Sequence, residues 1–372
     1  MEYVQERITT LHDVDDATPQ APTDRAAVVV PMTDRDGASL AAERVFSTLA
    51  THDPREVIVA LRSPPERLEA VTAWLSTFDL PLSVCWCSAP AVEDALETAG
   101  LAGPAGKGRD VWIALGIAAA RAEYVVVHDA DARSYTARHV PRLLFPLANG
   151  HVFSKGYYAR VENERLYGRL FRLLYAPLVR TLGDAHDAPI LAYLGAFRYA
   201  LAGEFAATAD LARRLTVPRG WGLEVGTLGE AYDVAGFDGT AQVDLGIHEH
   251  DHRSVGGPDG LREMAEEVVE AICRAVERQG VTPDYETLPA RYREIASAFV
   301  DSYATDAAFN DLSYDRADER EQVETYAHAI APPGPDDRLP TWEATTVDPE
   351  QIAARAREAL DAELDGTQPT RS

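Results

Sequence analysis

YVVVHDADARSYT (124–136) joins four apolar β-formers to two aspartates one residue apart, Asp129 and Asp131. A run that apolar predicts a strand covered on both faces, as in a parallel sheet sandwiched between helices. Two carboxylates so close repel each other, so the strand end that presents them needs a cation or solvent beside it.

The same pattern extends outward. Apolar runs AAVVVPM (26–32), EVIVAL (56–61) and LSVCWC (82–87) alternate with segments of helical spacing at 38–50, 66–77 and 108–121. Strands alternating with helices predict an α/β fold, a Rossmann-like, mostly parallel sheet with right-handed crossovers, whose ligands sit beyond the carboxyl ends of its strands. Polar residues mark those ends: Asp34 and Asp36 after the first run, Arg62 and Ser63 after the second, Asp129 and Asp131 after the fourth, which reads as a strand over 124–131.

Beyond residue 150 the regularity changes. HVFSKGYYAR (151–160) reads as a strand, 165–182 as a helix, 216–236 as a loop entering a helix, and 241–254 as a strand leading into a His-rich loop. Helices are expected over 258–279 and within 286–330. The stretch 331–340 reads as a linker and 347–365 as a short charged helix. Residues 1–24, polar and acidic, are expected to be ill-ordered. The predicted organisation is a nucleotide-binding half over 25–131, an acceptor half over 132–257, a helical part over 258–330, and a linker with a charged helix over 331–372.

The chain has 372 residues and a net charge of −25, and only two of its 35 basic residues, Lys107 and Lys155, are lysines. Carboxylates spread over the whole chain, with arginine doing nearly all basic work, are expected of an extreme halophile, where salt screens the repulsion. The same charge argues against nucleic-acid binding, which needs a basic patch. No apolar run is long enough to span a membrane, and residues 1–24 show no basic segment followed by an apolar one, so no signal peptide is expected. Cys85, Cys87 and Cys273 form neither an even framework nor a metal-spaced set; Cys85 and Cys87, in the apolar run LSVCWC, read as buried thiols in a reducing cytoplasm.

Four motifs carry chemistry. Asp-x-Asp at a strand end suits a hard divalent cation and the diphosphate of a nucleotide sugar, although Asp131 or Ser134 would also serve to cap the helix expected from about 136. In Gly106-Lys107-Gly108 the glycines let backbone approach a phosphate while the lysine adds a point charge, against an ordinary glycine-rich turn. In GWGLEVG (220–226), Glu224 reads either as a pocket carboxylate for a hydroxyl or as an acid stabilised by a helix start. His248, His250 and His252 alternate in HEHDHRS (248–254), which places them on one side of an extended chain; with the aspartates they favour a mixed oxygen and nitrogen site for Mg2+ or Mn2+. A dinucleotide-dependent oxidoreductase is disfavoured, because VVVPMTDRDGAS carries a single glycine, Gly37, where G-x-G-x-x-G belongs.

In order along the chain, VVVPMTDRD, GKG, HDADAR, VFSKGYY, LAGEF, GWGLEVGTL and AQVDLG followed by a His-containing loop resemble the GT-A-fold retaining glycosyltransferases of the glucosyl-3-phosphoglycerate synthase type, and less closely the mannosylglycerate synthases. The resemblance spans roughly residues 26–280. It implies a UDP-, GDP- or ADP-sugar donor, Mg2+ or Mn2+, and a small anionic acceptor such as 3-phosphoglycerate. By position it makes Asp131 and His252 the metal ligands and Asp131 and Glu224 the catalytic residues. Pro31, Asp36, Ser63, Lys107, Asp129, Leu201 and Gly203 fall at the donor, and Lys155, Gly168 and Arg169 at the acceptor. Two stretches depart from the family: LRSPPE (61–66) leaves only Ser63 after the second strand, and the acceptor loop reads Gly168-Arg169-Leu170-Phe171, keeping the arginine without its usual hydroxyl neighbour. A homodimer is compatible with this reading. The alternatives are a catalytically silent nucleotide-sugar-binding module and a glycosyltransferase for a lipid or glycan acceptor.

Overall fold

The structure, a computed structural model, describes residues 5–249 and 257–366. Its centre is an eight-stranded sheet in the order β1-β10-β6-β9-β5-β2-β3-β4. The strands are β1 (Thr9–Leu11), β2 (Ala26–Thr33), β3 (Glu56–Arg62), β4 (Leu82–Trp86), β5 (Tyr124–Val127), β6 (Phe153–Ala159), β9 (Phe205–Thr208) and β10 (Thr240–Ile247), while β7 (Val161–Glu162) and β8 (Arg165–Leu166) form a separate small hairpin. β4, β3, β2 and β5 run parallel to one another, as do β1, β10 and β6. Helices cover the sheet, so Val28, Val29, Val30, Ile58, Val59 and Val126 are wholly buried, the burial expected of uninterrupted apolar strands.

β9 carries pairings that the alternation of strands and helices did not reveal. It lies antiparallel between β5 and β6 and joins the two parallel groups. Its sequence, FAAT, is too short and too alanine-rich to read as a strand; cross-strand pairing on both sides makes it one. β5 is shorter than expected and ends at Val127, two residues before Asp129.

Three further expectations are corrected. Within the segment expected to be ill-ordered, Thr9–Leu11 forms the edge strand β1 on β10. Its polar residues are satisfied internally: the Gln242 amide donates to the Thr10 hydroxyl at 2.9 Å, and Ile8 beside them is buried. The segment 165–182 is not one helix, because β8 comes first, then a π-helical turn (Leu170–Tyr175) and the helix Ala176–Gly183.

The stretch 331–340 is no free linker. Leu339 is fully buried and pairs with Val217, and Trp342 just beyond stacks on Trp112 with centroids 4.0 Å apart. The indole Nε1 of Trp342 donates to the Trp112 carbonyl at 2.9 Å, and that of Trp112 to the Pro340 carbonyl at 2.8 Å. Gly116 makes room, since a Cβ there would overlap the Trp342 ring. Trp342→Ala is therefore expected to lower stability by about 3 kcal/mol or more in urea unfolding, the scale of a large buried ring removed, whereas a residue in a free linker would change it by less than about 0.5 kcal/mol.

Candidate active site

The carboxyl ends of β2, β3 and β4 open onto a first cleft, and a second lies beside it. The first, of about 560 Å³, is lined by Thr33, Asp34, Arg35, Arg62, Ser63 and Ser88. The other, of about 450 Å³, lies between Gly106 and Lys107 on one wall and Arg219 and Trp221 on the opposite one, with Arg62 shared by both clefts.

Lys107 lines the second cleft. It opens the helix Lys107–Arg121, and its ammonium lies 2.7 Å from Asp129 Oδ1 and 3.0 Å from Glu224 Oε1. Burial opposes the charge, but the two carboxylates outweigh it and hold Lys107 above the usual lysine range. Asp129 is pushed up by its own burial and by Asp131 and Glu224, with Lys107 opposing. Gly203 belongs to the same cluster, because any Cβ there would overlap the Asp129 carboxylate.

The structure shows what surrounds each motif. The helix after Asp131 begins at His139 with no side-chain cap, so neither Asp131 nor Ser134 caps it. The Ser134 hydroxyl instead accepts from the Glu249 amide at 3.1 Å, and the Arg133 amide donates to the Glu249 carbonyl at 2.8 Å. These bonds fasten the start of the His-rich loop beside the aspartate pair. His250 and His252 lie outside the described residues; His248 is buried and stacked on Tyr158 at 4.0 Å.

Glu224 lies in the first turn of the helix Leu223–Ala235 and turns to Lys107. The glycines of the GKG stretch have a packing role that the sequence did not show. A Cβ on Gly106 or Gly108 would overlap the backbone of Pro218 and Arg219, so their bareness admits a protein segment.

Ser63 lines the first cleft, with its amide donating to the Ser88 hydroxyl at 3.1 Å. Asp36 accepts from the Thr33 amide and hydroxyl and closes the turn after β2, while Pro31 lies in that strand opposite Ala60. Leu201 is half-buried against the core, three residues before the buried Glu204.

The residues expected at the acceptor are engaged within the protein. Arg169 Nε donates to Glu319 at 2.8 Å and its outer nitrogen pairs with Asp318, both on the helix Arg316–Ala327. Gly168, at φ +76°, turns the chain beside the Tyr199 hydroxyl. Lys155 is wholly buried on β6 with its ammonium 5.7 Å from the Phe205 ring centroid, and that ammonium has no hydrogen-bond partner among the described residues. It lies inside the protein rather than in a cleft, which corrects the expectation that it meets the acceptor directly.

Sequence reading passed over Arg219 and Trp221 in the wall of the second cleft, although both lie in the glycine-dense GWG neighbourhood that drew attention to Glu224. The polar end of β3 did flag Arg62, but nothing in the sequence showed that it joins two clefts.

Among the described residues no group of three or more His, Cys, Asp or Glu forms a metal site. Asp131, half-buried next to Asp129, offers hard oxygen donors of the kind Mg2+ and Mn2+ take. The donor set therefore fits such an ion.

Burial lowers Lys155 to about 8, with Glu224 and Glu204 only partly compensating. Its folded value lies below its unfolded one, so the folded state binds this proton less tightly, and stability is gained as pH rises from about 8 towards the ordinary lysine value. Wild type is expected to gain up to roughly 3 kcal/mol relative to Lys155→Met across that window in denaturant titrations; a constant difference would remove the depressed lysine.

No protein-family model matches the chain. The glucosyl-3-phosphoglycerate synthase of Methanococcoides burtonii is 32% identical over 378 residues, spanning 92% of this chain and 93% of its own length. That of Persephonella marina is 34% identical over 292 residues, spanning 74% of this chain and 72% of its own. The crystal structure of the Mycobacterium tuberculosis enzyme with Mg2+ and UDP superposes with a TM-score of 0.55 at 25% identity, over 74% of this chain and 88% of that one. Its GT-A sheet and the near full-length likeness to the Methanococcoides protein lead to one conclusion: this chain is a glycosyltransferase and belongs to the glucosyl-3-phosphoglycerate synthase family.

Proposed function

We propose that this chain transfers a hexose, with retention of configuration, from a nucleoside-diphosphate sugar to 3-phosphoglycerate or a close anionic relative. The observation that carries this reading is the Lys107 ammonium, which holds the Asp-x-Asp carboxylate and the GWGLE carboxylate together beside the second cleft. The nucleoside is assigned to the first cleft, past Ser63 and the turn between Pro31 and Asp36, and the sugar to the segment from Leu201 to Gly203.

Asp131 and His252 are the proposed ligands of Mg2+ or Mn2+, which when bound supplies positive charge to the diphosphate. Lys107 adds its ammonium to the same leaving group. The bond from the anomeric carbon to phosphate breaks with its electrons remaining on the diphosphate. The acceptor hydroxyl bonds to the same face, and its proton passes to the departing phosphate oxygen. Glu224 orients that hydroxyl and steadies the positive charge that develops on the sugar. The lysine-poor surface and the charge of −25 support an extreme-halophile source and an enzyme that works in molar salt.

UDP-, GDP- and ADP-glucose and GDP-mannose, each paired with 3-phosphoglycerate or glycerate in molar KCl, are the deciding assay. Transfer to 3-phosphoglycerate from one donor is expected, and EDTA should abolish it. Asp131→Ala should lower kcat at least about hundredfold and His252→Ala by less. Full turnover in EDTA refutes the metal assignment, and donor binding without transfer leaves the silent binding module.

Arg169 is proposed to meet the acceptor phosphate, keeping the buried Glu319 on Nε and exchanging the exposed Asp318 for the ligand. Arg169→Ala is expected to raise the acceptor KM about tenfold and leave the donor KM unchanged, as loss of one charge-assisted contact predicts. Equal effects on both substrates would place Arg169 in the scaffold.

A further inference from the structure

We propose that the C-terminal strap, residues 334–342, acts through Arg219 as a positioning device that sets Lys107 against Glu224. The inference rests on the transferase reading only for its kinetic test.

Lys107 and Glu224 each stand in the first turn of a helix, 117 residues apart in sequence, and the two helix starts meet along a narrow seam. Gly106 and Gly108 lie directly on the backbone of Pro218 and Arg219, and the Arg109 amide donates to the Arg219 carbonyl at 3.1 Å. The Arg219 guanidinium then ties together the segments on either side. Its Nε donates to the Asp337 carbonyl at 2.8 Å, and one terminal nitrogen donates to the carbonyls of Leu101 at 3.1 Å and Ala102 at 3.3 Å. All three acceptors are main-chain oxygens, so the side chain fixes backbone positions and not only a charge.

The strap fastens the same elements from outside. Val217 and Leu339 exchange two backbone hydrogen bonds of 2.9 Å. Trp342 stacks on Trp112 of the Lys107 helix, Arg338 donates to Glu230 of the Glu224 helix at 3.0 Å, and Arg274 of the helix Gly257–Arg278 donates to the Gly334 carbonyl at 3.0 Å. Every element that carries a charge of the Lys107–Glu224 pair is thus bonded to one strap. A displacement of about 1 Å at reacting groups is enough to cost on the order of a hundredfold in rate. Arg219, Asp337 and Arg338 line the second cleft but not the first, so loosening the strap leaves the nucleoside contacts assigned to the first cleft in place.

The test uses the full chain in molar KCl, with Arg219→Met, Arg219→Lys and Trp342→Phe, the last keeping an aromatic ring while losing the bond to the Trp112 carbonyl. UDP affinity with Mn2+ by calorimetry is expected to stay within about threefold of wild type. kcat should fall at least tenfold in Arg219→Met, less in Trp342→Phe, and recover partly in Arg219→Lys. Unchanged kcat in Arg219→Met overturns the proposal. So does a fall of kcat and UDP affinity together, in step with the folded fraction. If wild type neither binds UDP nor transfers a hexose, the transferase reading fails instead. Amide exchange then decides the strap: faster exchange at Arg109 in Arg219→Met supports it, and unchanged exchange overturns it.

Discussion

A single ammonium between two carboxylates organises this molecule. Lys107 reaches Asp129 at the end of β5 and Glu224 at the start of a distant helix, and without it two acids would face each other across a partly buried gap. Removing one partner of such a cluster strands charge away from water, at a cost of a few kcal/mol. The cluster therefore constrains chain path as well as chemistry: β5, the Lys107 helix and the Glu224 helix must converge on one point, and the segment around Gly203 must pass Asp129 without a side chain.

That convergence explains where the glycines fall. Gly106 and Gly108 admit the Pro218–Arg219 backbone, Gly203 admits a carboxylate and Gly116 admits an indole. A glycine in a helix interior is unfavourable by roughly 1 kcal/mol relative to alanine, and at Gly116 the Trp112–Trp342 stack offsets it. The acidic surface is of another kind. Much of it is tied into arginine pairs such as Arg121 with Glu56 and Glu350, exposed or half-exposed contacts that each contribute little and that salt weakens. Stability and site geometry rest on the buried contacts, and the surface answers to the solvent.

How legible a feature was in the sequence followed the range of the interaction behind it. β2, β3, β4 and β5 were readable because each is an unbroken apolar run, and Asp129, Asp131, Lys107 and Glu224 stood out because polar residues at strand ends and helix starts break a local pattern. β9 was not readable, since FAAT becomes a strand only between β5 and β6. β1 was hidden because Thr10 is polar, and only its bond to Gln242, more than two hundred residues away, lets it be buried.

By itself the sequence determined the α/β alternation, the carboxyl edge at which ligands gather, and, through the order of its motifs, the family to which the chain belongs. Only the tertiary structure decided that Lys107 bridges two acids, that the glycines beside it face protein, that Lys155 is sealed inside and that 331–342 is a strap. The physical reason is that periodicity and residue type report on neighbours within a turn or two of the chain. A buried charge, a seam without room for a Cβ or a stacked pair of indoles is fixed by partners that the chain supplies from far along its length.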